Sequence, residues 1–137
     1  MPRSRLVPAL WVFGLLASQG CVPGYMRIEL ATTRATNGGA PLYLLVRAVD
    51  TKQYATQTYS KVADLLEAPD ASVVRTQLLY PGRSYRFYMR PPAKESVGMY
   101  FLFAAPGGPW SVLLPQPLPL SVHLSLGDNI IRQQVLR

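Results

Sequence analysis

The polar and apolar positions alternate along most of the chain. From Arg27 to Thr33 (RIELATT), Ile28 and Leu30 fall on one side and Arg27 and Glu29 on the other, the period-two pattern of a half-buried strand. Leu42 to Val49 (LYLLVRAV) is nearly continuous in apolar residues, which predicts a strand buried on both faces or central in its sheet. Ser72 to Tyr80 predicts a third strand, closed by Pro81-Gly82. In the fourth, Tyr85, Phe87 and Met89 share one face while Arg86, Tyr88 and Arg90 share the other, and Pro91-Pro92 ends it. Ser96 to Ala105 (SVGMYFLFAA) is the most apolar run and predicts a central strand. Short strands follow at Trp110 to Leu114, Leu118 to Leu126 and Asn129 to Leu136, with Leu118, Leu120, Val122, Leu124 and Leu126 expected inward and Ser121, His123 and Ser125 outward.

One segment breaks this rhythm. Ala55, Tyr59, Val62 and Leu66 are spaced four, three and four apart, the face of a helix, and Pro69 ends it. The expectation is one short helix at about Tyr59–Glu67, after strand two, covering part of a sheet. About eight short strands with frequent Gly and Pro turns make an all-β, two-sheet β-sandwich the predicted fold, with a closed barrel as the neighbouring possibility. The turns include Arg34 to Pro41, in which Asn37-Gly38-Gly39 tolerates positive φ.

The first twenty residues follow a different pattern. Arg3 and Arg5 precede the apolar run Leu6 to Ala17, and the small residues Ser18 and Gly20 follow it. This is the layout of a secretory signal, and the run falls short of the ~20 residues a membrane-spanning helix needs. Cys21, the chain's one cysteine, comes next. Gly20-Cys21 resembles the last two positions of a bacterial lipoprotein signal, in which the cysteine at the cleavage point is lipid-modified. Ordinary cleavage after Gly20 would instead leave a free exported thiol. In such lipoproteins an Asp after the cysteine commonly signals inner-membrane retention; Val22 stands there, which implies the outer membrane. The organisation expected is therefore a signal peptide at 1–20, a lipidated tether at 21–26 and a periplasmic sandwich domain at 27–137.

Composition narrows the chemistry. With 137 residues the chain is one domain in size. One Cys and one His exclude an internal disulfide and Cys- or His-cluster metal sites. His123 is expected on a polar face, solvated, and the carboxylates Asp64, Glu67 and Asp70 read as ordinary surface acids. Gly38-Gly39 and Gly107-Gly108 lack the context of a phosphate loop, and there is no G-x-S-x-G elbow. Losing Arg3 and Arg5 with the leader lowers the formal charge from +7 to +5, and no block of five like charges occurs. Nucleic-acid footprints are clustered, so none is expected. The expectation is a protein that is not an enzyme, takes no cofactor, metal or small-molecule substrate, and works by recognition. Tyr88, Arg86 and Arg90, on outward faces, are of the residue types that dominate binding hot spots.

The order of these features resembles the outer-membrane lipoprotein of the type VI secretion system, the TssJ (VasD, SciN) family. The resembling run covers roughly Ile28 to Arg132. Asn37-Gly38-Gly39-Ala40-Pro41-Leu42 resembles the family's loop into a "PL" strand, and Tyr59 to Leu65 its aromatic-containing helix. Leu79-Tyr80-Pro81-Gly82 resembles its "PG" turn, Val97 to Ala104 its "VGV-A-F" strand, and Pro109-Trp110 the Trp that opens the next strand. The resemblance implies a protein lipid-anchored at Cys21 to the periplasmic face of the outer membrane. It implies binding to the periplasmic region of the inner-membrane protein TssM, and through it to TssL. It also implies that the loop between the first two strands contributes to that binding, here Arg34 to Pro41 with Thr36, Asn37, Gly38, Gly39 and Ala40 at its tip. Small polar residues make poor hot spots, so Arg34 and Tyr43 at the flanks are expected to share the binding energy. A pilotin-like lipoprotein with another partner, and a periplasmic carrier of a small apolar ligand, are the alternatives. A periplasmic enzyme would need His123 grouped with an acid in a cleft.

Overall fold

The computed structural model describes residues 24–137. The leader 1–20 and Cys21 lie outside the described residues. Eight strands form two four-stranded sheets. They are β1 (Met26–Ala31), β2 (Leu42–Val49), β3 (Val73–Leu79), β4 (Ser84–Met89), β5 (Ser96–Leu102), β6 (Ser111–Leu114), β7 (Ser121–Leu126) and β8 (Ile131–Leu136). Sheet A has the order β4-β1-β7-β8 and sheet B the order β3-β2-β5-β6. All pairings are antiparallel except β1 with β7. The all-β sandwich is thus the observed fold.

The alternation read from the sequence is the packing rule of the core. Met26, Ile28 and Leu30 of β1 and Val122, Leu124 and Leu126 of β7 face Leu42, Leu44 and Val46 of β2 and Val97, Met99 and Phe101 of β5 between the sheets. Every residue of the buried core clusters lies between Met26 and Ile131. One expectation fails at β7. Leu120 is 76% exposed rather than inward: its carbonyl still accepts from Arg27 N, but it precedes β7, which starts at Ser121, and lies at the entry end past the core.

The continuous apolar runs of β2 and β5 are explained by a third layer. Leu45, Tyr100 and Leu102 point to the outer face of sheet B, where Val62, Tyr54, Tyr59 and Trp110 cover them. The covering segment is two helices, α1 (Thr51–Thr56) and α2 (Tyr59–Asp64), rather than one. Asp50 and Gln53 form a reciprocal capping box that starts α1. Gln57 is extended, and Thr58 caps α2 by accepting from Lys61 N. Tyr59 and Tyr54 dock this layer by their hydroxyls, onto the Phe103 carbonyl and, at 2.9 Å, Ser111 Oγ. Gln57 donates to Tyr100 Oη, and Arg47 Nη1 donates to Gln57 Oε1 at 2.9 Å. Gly98 leaves the room: a Cβ there would sit 2.7 Å from Tyr100 Cζ.

Burial raises the hydroxyl pKa of both Tyr100 and Tyr59 above the usual 10.0, the Gln57 bond opposing it at Tyr100. A pKa higher in the folded than in the unfolded chain means that this contribution is whole below pH ~10 and is lost as the pH climbs through the folded value. Stability is therefore expected to fall above pH ~10. A Tyr59→Phe/Tyr100→Phe variant should show a shallower fall in urea melts over the same range.

Strand direction sorts the connections into two ends. β1 and β7 run toward the end that holds loops 32–41, 80–83, 103–110 and 127–130. The chain enters at the opposite end, beside loops 90–95 and 115–120. Six residues of β1 separate these two poles by about 20 Å.

Candidate functional site

The loop between β1 and β2 sits at the loop pole and is built by short polar residues. Thr33 N donates to Thr36 Oγ1 at 2.9 Å, and Thr36 is fully buried. A single 3₁₀ turn (Thr36–Gly39) follows, with Asn37, Gly38 and Gly39 all at positive φ. Asn and Gly are the residues that accept this region at least cost.

Asn37 ties three loops together. Its N–H donates to the Asp128 carbonyl at 2.6 Å, and its Oδ1 accepts from Ala104 N at 2.8 Å. Its Nδ2 donates to the carbonyls of Ala40 and Pro41 at 3.2 and 3.0 Å. Between these loops lies an open cleft of about 590 Å³, lined among others by Arg34, Gly38, Gly39, Ala104, Ala105 and Asn129. Its walls are mostly small side chains and backbone, a shape that takes a protruding group from another molecule.

The seven residues expected to form a partner-binding loop divide in this geometry. Arg34, Asn37, Gly38 and Gly39 line the cleft, and Ala40 is exposed beside it. Thr36 is buried beneath it and holds the turn rather than facing outward. Tyr43 is 42% exposed, but it stands on the outer face of sheet B in the row of Leu78 and Leu102, apart from the cleft. Ala104, Ala105, Asp128 and Asn129 were not singled out from sequence. Gly107-Gly108 and Gly127-Asp128-Asn129 mark their loops as turns, but only the strand order brings those turns to the same pole.

Asn37→Ala removes three side-chain hydrogen bonds and puts a Cβ residue with no polar group at positive φ. At ~1 kcal/mol net per bond, partly solvated here, a loss of about 2–3 kcal/mol is expected. Urea melts measure it, and the Ala104 amide should exchange faster with solvent. Asn37→Gly, which keeps the backbone, should cost less.

A second cleft, of about 510 Å³, lies on the outer face of sheet A. Cross-strand register sets Arg86, Glu29, His123 and Val135 in one row. His123 is on the outward face, as expected, but it is not merely solvated: its Nδ1 lies 2.7 Å from Glu29 Oε2, and Arg86 Nε lies 2.8 Å from Glu29 Oε1. Both partners hold the carboxylate in place. Of the surface acids, Asp70 is engaged too. Its carboxylate accepts from the Ser72 hydroxyl and backbone N–H, which lower its pKa. No group of three His, Cys, Asp or Glu among the described residues could hold a metal ion, and no described helix is long and apolar enough to cross a membrane.

The chain is a two-sheet β-sandwich with an entry pole and an opposite three-loop cleft. Residues 43–126, more than half of the chain, match the family described as IglE, N-terminal domain; the chain belongs to this family. No curated protein matches by sequence. Among solved structures, the Serratia marcescens protein Lip, a membrane-bound component of the type VI secretion system, matches with a TM-score of 0.69 at 16% identity, over 85% of this chain and 99% of that one. The type VI lipoprotein TssJ1 from Pseudomonas aeruginosa matches with a TM-score of 0.63 at 21% identity, over 84% and 97%. A chain in a structure of the type VI protein TssM C-terminal domain from EAEC matches with a TM-score of 0.62 at 15% identity, over 80% and 99%. The fold is thus that of the TssJ lipoproteins which the sequence resembles.

Proposed function

We propose that this chain is a type VI secretion lipoprotein, held at the periplasmic face of the outer membrane by an acylated Cys21, that grips the periplasmic part of a TssM-like protein and through it TssL. Residues 1–20 are then the removed signal and 21–26 the tether, whose last residue, Met26, already belongs to β1 and the core, and 27–137 complete the working domain. The role is structural and non-catalytic. The observation that carries this reading is the separation of the two poles. The chain's N-terminal segment enters the sandwich at one end, and the cleft built around Asn37 opens at the other, so the domain holds its recognition loops away from its attachment. The sandwich common to Lip and TssJ1 supports a role in the type VI membrane assembly, where a TssM-like protein is the partner proposed.

The mechanism needs no moving part. A packed sandwich fixes three loops relative to one another, so the cleft is preformed and little loop ordering opposes binding. Confinement to a membrane raises the effective concentration of neighbouring copies, so modest pairwise affinity sustains a multivalent assembly. Ala105→Glu places a charge in the cleft without touching the hydrogen bonds of Asn37. Calorimetric titration with the purified periplasmic domain of TssM should show at least about tenfold weaker binding for it, the scale of one hot-spot contact. Unchanged affinity would move the interface elsewhere.

A further inference from the structure

The outer face of sheet A ends, at the entry pole, in a row set by cross-strand register: Tyr88 beside Arg27, Arg27 beside Ser121, and Ser121 hydrogen-bonded in both directions to the Arg137 backbone. Just beyond this row lie Tyr25, with the Arg90 guanidinium 5.8 Å from its ring centre, and Leu120. Tyr25, Tyr88 and Leu120 are 54%, 55% and 76% exposed. Exposed aromatic and aliphatic groups interleaved with arginines match the chemistry of a membrane interface. There tyrosine rings sit at headgroup depth and arginines meet phosphate.

On the sheet A side of this end the charge is unbalanced; on the sheet B side the connection from β2 to β3 carries Asp50, Asp64, Glu67 and Asp70 against Lys52 and Lys61. Glu29, one row further in, is engaged by Arg86 and His123 and lies 3.6 Å from Arg27 Nε. Among the described residues, Arg90 and Arg137 form no ion pair with a carboxylate. In the adjoining loop 90–95, Lys94 and Glu95 offset each other. The loop pole also carries basic groups, Arg34, Arg83 and Arg132, so charge alone does not choose between the ends; the length of the tether does. Three residues lie between Cys21 and Tyr25, so the four Cα–Cα steps span at most about 14 Å even when fully extended.

We propose that the entry pole of sheet A, formed by Tyr25, Arg27, Tyr88, Arg90, Leu120 and Arg137, docks on the headgroups of anionic phospholipids and sets the sandwich upright on the membrane. The inference rests on the acylation of Cys21 for its distance argument, while the surface itself is a property of the folded domain. It orients the cleft around Asn37 away from the membrane.

Vesicle flotation tests it on the chain from residue 21 onward carrying Cys21→Ser, which contains the whole sandwich core and no acyl group. Partitioning is compared on phosphatidylcholine alone and on phosphatidylcholine mixed with phosphatidylglycerol. Each basic side chain near an anionic surface raises partitioning roughly fivefold. A preference for the anionic vesicles is therefore expected, abolished by high salt and lowered at least about tenfold by Arg27→Gln/Arg90→Gln. Circular dichroism checks that this variant stays folded, and Arg83→Gln/Arg132→Gln at the loop pole should leave partitioning unchanged. Equal partitioning on both vesicles, or an equal loss from the loop-pole variant, would overturn the proposal. So would retention on polyglutamate resin with no vesicle preference, which would assign the surface to an acidic protein. Acylation is read separately, by intact mass of the native protein. An unmodified thiol there would remove the anchor and leave the vesicle result standing.

Discussion

Tyr100→Ala and Phe101→Ala should each cost about 3–5 kcal/mol, although the two side chains point in opposite directions. Both residues are fully buried. Phe101 lies between the two sheets, and Tyr100 lies between sheet B and the helices, against Trp110 and Tyr54 with ring centres 5.7 and 6.0 Å away. Removing either ring forfeits its transfer free energy and leaves a cavity that close-packed neighbours refill only in part. Tyr100→Phe keeps the ring and loses the bond from Gln57, so about 1 kcal/mol is expected for it. Tyr88→Ala, on an exposed face, should stay within about 0.5 kcal/mol of the parent. Urea unfolding with unchanged m-values measures all four. If Tyr100→Ala costs no more than Tyr88→Ala, the helical layer does not seal the outer face of sheet B.

The second large effect is on location. On the proposed reading, Cys21→Ser should move the protein from the membrane fraction to the soluble fraction. Each buried CH₂ contributes ~0.8 kcal/mol and a single acyl chain binds only marginally, so the several chains of a mature bacterial lipoprotein make the difference between transient and permanent attachment. A salt wash during fractionation matters, because the arginines at the entry pole would otherwise keep some unacylated chain on anionic membranes. Equal recovery of parent and Cys21→Ser in the washed membranes would remove the anchor from the account.

These expectations depend on features of unequal legibility in the sequence. The strands were readable because each has a repeating reason to exist. Ile28 and Leu30 against Arg27 and Glu29 state a face, and the unbroken run Met99-Tyr100-Phe101-Leu102 states a strand covered on both sides. What covers the second side was half visible. The spacing of Ala55, Tyr59, Val62 and Leu66 marks helix, but Asp50-x-x-Gln53 and Thr58 are local capping signals that split it in two, and a face-periodicity reading passes over them. Leu120 continues a perfect alternation and is still exposed, because it precedes β7 at the end of the sandwich, where no core remains to cover it.

The candidate site was readable only in its local half. Asn37-Gly38-Gly39 signals positive φ, and the turn has it. That Thr36 is buried follows from its hydroxyl closing a turn onto Thr33 N, an interaction that residue type permits but does not require. Ala104, Ala105, Asp128 and Asn129 carry no chemistry of their own. They join the cleft because β5 and β7 end at the pole where β2 begins, and that order is decided by packing across the whole sandwich rather than by any one segment. The Glu29–His123 pair depends likewise on β1 and β7 lying side by side in parallel.

Pulling down the native protein from detergent-extracted membranes, with mass spectrometry of both bait and prey, tests the bridging role most directly. The bait should carry acyl chains on Cys21, and a TssM-like protein should be the main periplasm-spanning prey, depleted when the bait carries Ala105→Glu. An acylated bait that brings down no TssM-like protein, or brings it down equally with Ala105→Glu, would contradict the account.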